Sequence, residues 1–258
     1  LKSAYGKQAA DFLAGIWPTY HGDQPMHGGP TYMGVVVCFL FILGLLIVPG
    51  RYRWWILGGT VISILLSWGR NFQWFSDLFY DNLPMYNNFR AVSMWLTITS
   101  VCMAVMSGLA LGVLFRNREG KTPKQQLMSV GIAAGITLFI LFVVAFMQPG
   151  VTLELEQDPG AIVSTLRYAG INEPDQGVLV RLVEALPGDR VSMITSQAYK
   201  GMLLVLLAAG VLGAYVWMRK SLNSKDMRPL GIAGACLILF GLIYWDMKPI
   251  DERYLNED

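Results

Sequence analysis

"MSVGIAAGITLFILFVVAFM", residues 128 to 147, decides what kind of protein this is, because twenty residues pass without one charge. A bilayer core about 30 Å thick takes roughly 20 apolar residues as an α-helix, since lipid offers no partner to an unpaired backbone amide. This stretch meets that requirement. Working outward, five more runs are nearly free of charge, at approximately 31 to 48, 54 to 68, 92 to 115, 201 to 218 and 229 to 245. The run at 54 to 68 is short, but Trp54, Trp55 and Trp68 stand at its ends, where indole rings favour the membrane interface.

Composition agrees with that reading. Of 258 residues, 54% are apolar and 15% charged, against roughly 25% charged in an ordinary soluble domain. The expected fold class is all-α: a polytopic membrane protein with about six transmembrane helices and a small extracytoplasmic helical insertion. The net charge of +2 carries no nucleic-acid signal. Cys38, Cys102 and Cys236 all fall inside expected spans, where they read as small packing residues rather than as a disulfide or a metal site.

Loop charge orients the spans. "PGRYRWW", "FRNREGKTPKQQ" and "RKSLNSKDMR" hold ten Lys and Arg against only Glu119 and Asp226, a net +8, while everything else carries a net −6. By the positive-inside rule these three loops are cytoplasmic, and both ends of the chain face outward. Residues 1–30 are then an extracytoplasmic loop, 31–148 hold helices 1 to 4 with an outward aromatic loop at 69–91, and 149–200 form an extracytoplasmic helical segment. Residues 201–246 hold helices 5 and 6, and 247–258 are an extracytoplasmic tail. The opening residues have neither an initiating Met nor the basic and apolar pattern of a signal peptide, so the chain is expected to be an internal piece of a longer protein.

The outward segments differ in character. "YHGDQPMHGGPTYMG", residues 20 to 34, is a turn-rich Gly and Pro segment containing the only two histidines. His21, Asp23 and His27 are ligand types for a divalent metal, but their spacing matches no established site, and no metal or other cofactor is expected. In 149–200, Asp158 and Pro159 mark the start of a short helix that Gly170 ends. Asn172 caps a second helix, whose Val178, Leu179, Leu182, Val183 and Leu186 share one face that needs cover from the membrane surface or from another part of a larger protein. Pro187 and Gly188 are expected to break it. Glu154, Glu156, Asp158, Glu173, Asp175 and Glu184 read as a solvated face. Near the end, Asp246 falls where the sixth span meets the outer surface, and Pro249 is expected to stop that helix.

The most unusual segment is "WGRNFQWFSDLFYDNLPMYNNFRAVSMW", residues 68 to 95, which places Arg70, Asp77, Asp81 and Arg90 among seven aromatic residues between Phe72 and Phe89. Aromatics at helix ends form an interfacial belt in membrane proteins of every function, and Arg and Asp there can simply pair with one another.

The run "GPTYMGVVVCFLFILGLLIV", the block from "ISILLSWGRNF" to "LPMYNNFRAVSMW" and the closing "WDMKPIDERYLN" resemble the YfhO-like family of large bacterial membrane proteins, especially its Bacteroidetes members. The resemblance spans nearly the whole chain. It implies a multi-pass protein of the bacterial inner membrane in the type-C glycosyltransferase superfamily, whose enzymes take sugar from a polyprenyl-phosphate carrier on the outer side for cell-envelope polymers. It also implies a catalytic carboxylate in an early outward loop upstream of Leu1, so enzyme activity is not assigned to any residue here, and Asp77 and Asp81 are weak candidates for a base.

A lipid-linked donor wants a cation for its phosphate, aromatic faces for sugar or isoprenoid, and carboxylates or amides for hydroxyls. Arg90, Arg70, Asn71, Asn87 and Asn88 supply those groups as candidate substrate-binding residues. The expected partners are membrane lipid, a polyprenyl-phosphate sugar, and the rest of a longer chain or an envelope complex. Two alternatives stand beside the enzyme: a transporter or flippase of a lipid-linked substrate, and a structural subunit of an envelope complex. The absence of charge at the span centres favours the enzyme over the transporter.

Overall fold

The computed structural model describes residues 32–82, 94–116, 122–155, 176–219 and 227–254, and every regular element among them is helical. In order these are α1 (Val35–Ile47), α2 (Tyr52–Ser67), a 3-10 turn (Gly69–Phe72), α3 (Gln73–Asn82), α4 (Trp95–Arg116), α5 (Pro123–Leu155), α6 (Gln176–Met218) and α7 (Met227–Tyr254). Among the described residues four stretches are long and apolar enough to cross a membrane: Trp95–Arg116, Pro123–Phe146, Ile194–Met218 and Pro229–Pro249. The protein is an α-helical membrane protein.

The first two expected spans come out shorter than a crossing. Helix α1 has 13 residues and so rises about 20 Å. It begins only after Gly34, whose φ of 81° is a left-handed conformation that glycine adopts without strain. It ends at Val48, where the chain turns extended ahead of Pro49. Helix α2 has 16 residues, about 24 Å. Its first turn carries Arg53, and Thr60 and Ser63 are buried farther along it.

Two expected breaks are also absent. Helix α6 runs through Pro187 and Gly188, and α7 runs through Pro249 to Tyr254. Helix α5 likewise continues past Pro149 and Gly150. Proline biases the residue before it away from the helical region without forbidding it, so an otherwise helical sequence on both sides can carry the chain through. The proposed helix from Asp158 to Gly170 and the Asn172 cap lie outside the described residues, as do His21, Asp23 and His27. Val178 to Leu186 belong to the first turns of α6.

Where the start of a helix is visible, its chemistry is plain. Thr122 precedes Pro123 at the head of α5, and its hydroxyl oxygen accepts from the Gln125 backbone N–H at 3.3 Å. The Gln125 side chain returns the bond by accepting from the Thr122 N–H at 3.0 Å, so two otherwise orphaned donors are satisfied together. Proline suits the first helical position because it has no N–H to orphan.

The chain divides into two compact units. In Pro30–Phe139 with Gly201–Asp258, α4 packs against both α1 and α2, and α1 also touches α7. The interior holds Val36, Phe39, Leu40 and Leu43 from α1 and Met106, Ala110 and Leu114 from α4. Gly44 is what lets α1 and α4 approach: a Cβ there would stand 2.6 Å from the Met106 Cγ and 2.9 Å from the Met106 carbonyl oxygen. Close backbone approach over a small residue is how membrane helices gain packing without a hydrophobic force between them. In Leu1–Gly29 with Ile140–Lys200, the Phe142 and Phe146 rings stack at 6.1 Å on one side of α5, and both are exposed. In the other unit Leu237 and Phe240 on α7 are exposed, and large apolar side chains left open within each unit call for lipid rather than water.

Candidate functional site

The segment expected as an aromatic loop is helical as far as residue 82. After α2, Gly69 adopts φ 48° and opens the 3-10 turn, and the Ser76 hydroxyl donates back to the Gly69 carbonyl at 3.2 Å, tying α3 to that turn. Trp74, Phe75, Leu78 and Phe79 recur at helical spacing on one stripe of α3. Rings meet along it: Trp68 on Phe72 at 6.1 Å, Phe72 on Trp74 at 5.1 Å and on Phe75 at 5.5 Å, and Phe75 on Phe79 at 5.1 Å. Phe75 and Phe79 are half-buried, whereas Trp74, Leu78 and Tyr80 stay exposed. An amphipathic helix with exposed aromatics suits the boundary between lipid and water.

Of the candidate residues, Arg70 and Asn71 belong to the 3-10 turn, and Asp77 and Asp81 to α3, with Asp77 exposed. One short helical stretch therefore carries all four. Arg90, Asn87 and Asn88 lie outside the described residues. Beside exposed aromatic faces, Asp77 can accept hydrogen bonds from hydroxyl groups, which is the chemistry a carbohydrate or an isoprenoid carrier calls for.

A second polar site was not legible as such. Asp246 on α7 is only 2% exposed. One of its carboxylate oxygens accepts from the Tyr32 hydroxyl at 2.8 Å, and the other accepts from the Val35 backbone N–H at 2.7 Å. Gly34, the residue before α1, supplies no side-chain cap of its own, so a carboxylate from α7 satisfies the first turn of α1 and meets the positive end of its dipole. A Cβ on Gly34 would stand 3.5 Å from the Asp246 Oδ2. The signal that pointed here was a missing one: "TYMGVVV" begins an apolar helix without Ser, Thr, Asp or Asn at the cap, so the cap had to come from elsewhere. Both oxygens being engaged, Asp246 holds two helices together.

Smaller polar contacts knit the same unit. Ser63 and Thr99 share a hydrogen bond of 2.6 Å between α2 and α4, Ser107 donates to the Val37 carbonyl at 3.2 Å, and Arg219 donates to the buried Gln126 side chain at 3.3 Å. These contacts fasten helix to helix inside apolar surroundings, as hydroxyls and amides do in bilayers.

Fold and site together define an α-helical membrane protein with a short, partly exposed aromatic helix. No family model, curated protein or solved structure matches the chain.

Proposed function

We propose that this chain is part of a membrane glycosyltransferase-like protein of the bacterial inner membrane that handles a polyprenyl-phosphate-linked sugar for envelope-polymer modification. The observation that carries the reading is the surface of α3, where Trp74, Leu78 and Tyr80 are exposed on the same short helix as the exposed carboxylate of Asp77. In this reading the stripe faces outward, as the basic loops at the other ends of the helices require. The carrier's isoprenoid lies against Trp74 and Leu78, the sugar stacks on an aromatic face, and Arg70 and Arg90 meet the phosphate. The full engagement of Asp246 in capping α1 gives the buried carboxylate a static task, which suits an enzyme scaffold better than a transporter's moving ion site.

The test is binding of a fluorescent polyprenyl-phosphate sugar to the protein in nanodiscs. Replacing Trp74 and Tyr80 together by Ala is expected to weaken binding by about 1 kcal/mol for each ring lost. Arg90→Lys, which keeps the charge but removes the planar fork, is expected to cost on the order of 1 to 2 kcal/mol. Unchanged affinity in both folded variants refutes the reading.

A further inference from the structure

The turn between α1 and α2, "PGRYRWW" at residues 49 to 55, carries two guanidinium groups on elements that contain no carboxylate. Gly50 makes the turn with φ 90°. Beyond it, Tyr52, Trp54 and Trp55 are all more than 60% exposed, and Arg51 is exposed beside them. Arg53 behaves differently. Its guanidinium carbon stands 5.2 Å from the centroid of the Trp54 ring, and its Nε is shut off from solvent with no hydrogen-bond acceptor. That covered Nε is out of reach of any ligand, so Arg53 can bind only through its terminal Nη groups, and it is the charge of two arginines, offset by no carboxylate on α1 or α2, that calls for an anion. Exposed indoles fix the depth at which that anion sits, since Trp and Tyr concentrate at the level of lipid headgroups.

We propose that the α1–α2 turn is a binding site for the phosphate of an anionic phospholipid, with Arg53 and Arg51 as donors and Trp54 and Trp55 against the glycerol and upper acyl chains. An arginine braced on an aromatic face keeps its remaining N–H groups in one plane, which matches the paired oxygens of a phosphodiester. A neutral headgroup such as phosphatidylcholine brings its own cation to the same place and gains less. The site is separate from α3 and independent of the glycosyltransferase reading.

Native mass spectrometry of the delipidated protein, offered equimolar phosphatidylglycerol and phosphatidylcholine with identical acyl chains, reads the preference directly. The unaltered protein is expected to retain phosphatidylglycerol selectively. Arg51→Gln with Arg53→Gln should lower that selectivity by about fivefold for each arginine removed, while Arg116→Gln with Lys124→Gln, which removes equal charge elsewhere, should leave it in place. Because Arg53 is partly buried, Arg51→Gln alone, at an exposed position, gives the decisive result if the double variant fails to fold, with about a fivefold loss expected. Millimolar inorganic phosphate should not displace the lipid. No selectivity in the unaltered protein, selectivity that survives loss of Arg51, equal loss in the Arg116 and Lys124 variant, or displacement by free phosphate would each overturn the proposal.

Discussion

Helix α1 hides Val36, Phe39, Leu40 and Leu43 almost completely, whereas α3 leaves Trp74, Leu78 and Tyr80 more than half exposed. Both are short and rich in large apolar side chains. They differ in what meets their polar groups. The head of α1 is satisfied by a carboxylate from a helix more than two hundred residues away in sequence, while α3 is tied to its own neighbourhood through Ser76 and Gly69 and through Asn82, which donates to the Leu78 carbonyl at 2.7 Å. The difference separates scaffold from surface: changes at α1 should register as stability, and changes at α3 as binding.

Asp246→Ala is expected to have the largest effect. It removes the acceptor for two half-buried donors, one of them a backbone N–H, and at typical values for hydrogen bonds to a charged group the loss is about 3 kcal/mol. Thermal unfolding in detergent should fall accordingly, and an unshifted midpoint would mean that α1 does not depend on α7. Gly44→Ala comes next, at about 2 kcal/mol, because the new methyl meets the Met106 backbone and not merely a side chain that can swing aside. A stable Ala variant would show that α1 and α4 can separate freely. Tyr32→Phe should cost about 1 kcal/mol, since the second bond to Asp246 survives. At the bottom of the scale, Asp77→Asn on the exposed side of α3 should change stability by less than about 0.5 kcal/mol. A large loss of stability there would erase the contrast between the two helices.

The sequence disclosed the helices well because apolar runs of this length have one solution in lipid. Residues 128 to 147 lie wholly within α5, and 201 to 218 within α6. It disclosed their ends poorly. Pro187 and Pro249 were read as stops, but a proline costs one hydrogen bond and some crowding, a local penalty that a long helix can carry. The aromatic segment reads as a loop where the structure has helix as far as residue 82, because Trp74, Phe75, Leu78 and Phe79 sit too close to the preceding span for their own helical spacing to stand out. Asp246 is conspicuous in the sequence, but its partners are not. A single carboxylate says nothing about which of several helix heads it will meet, and only the uncapped start before Val35 carried that information.

The 13 residues of α1 have one further consequence. At about 1.5 Å per residue the helix falls roughly 10 Å short of an ordinary hydrocarbon core, and its head is pinned in place by Asp246, so it cannot lengthen by sliding along its neighbours. If α1 spans the bilayer, lipid beside it has to come to the protein, with acyl chains compressed and headgroups drawn inward. Membrane thickness then becomes a variable of this protein's energetics, with shorter-chain lipids relieving a deformation that longer ones increase.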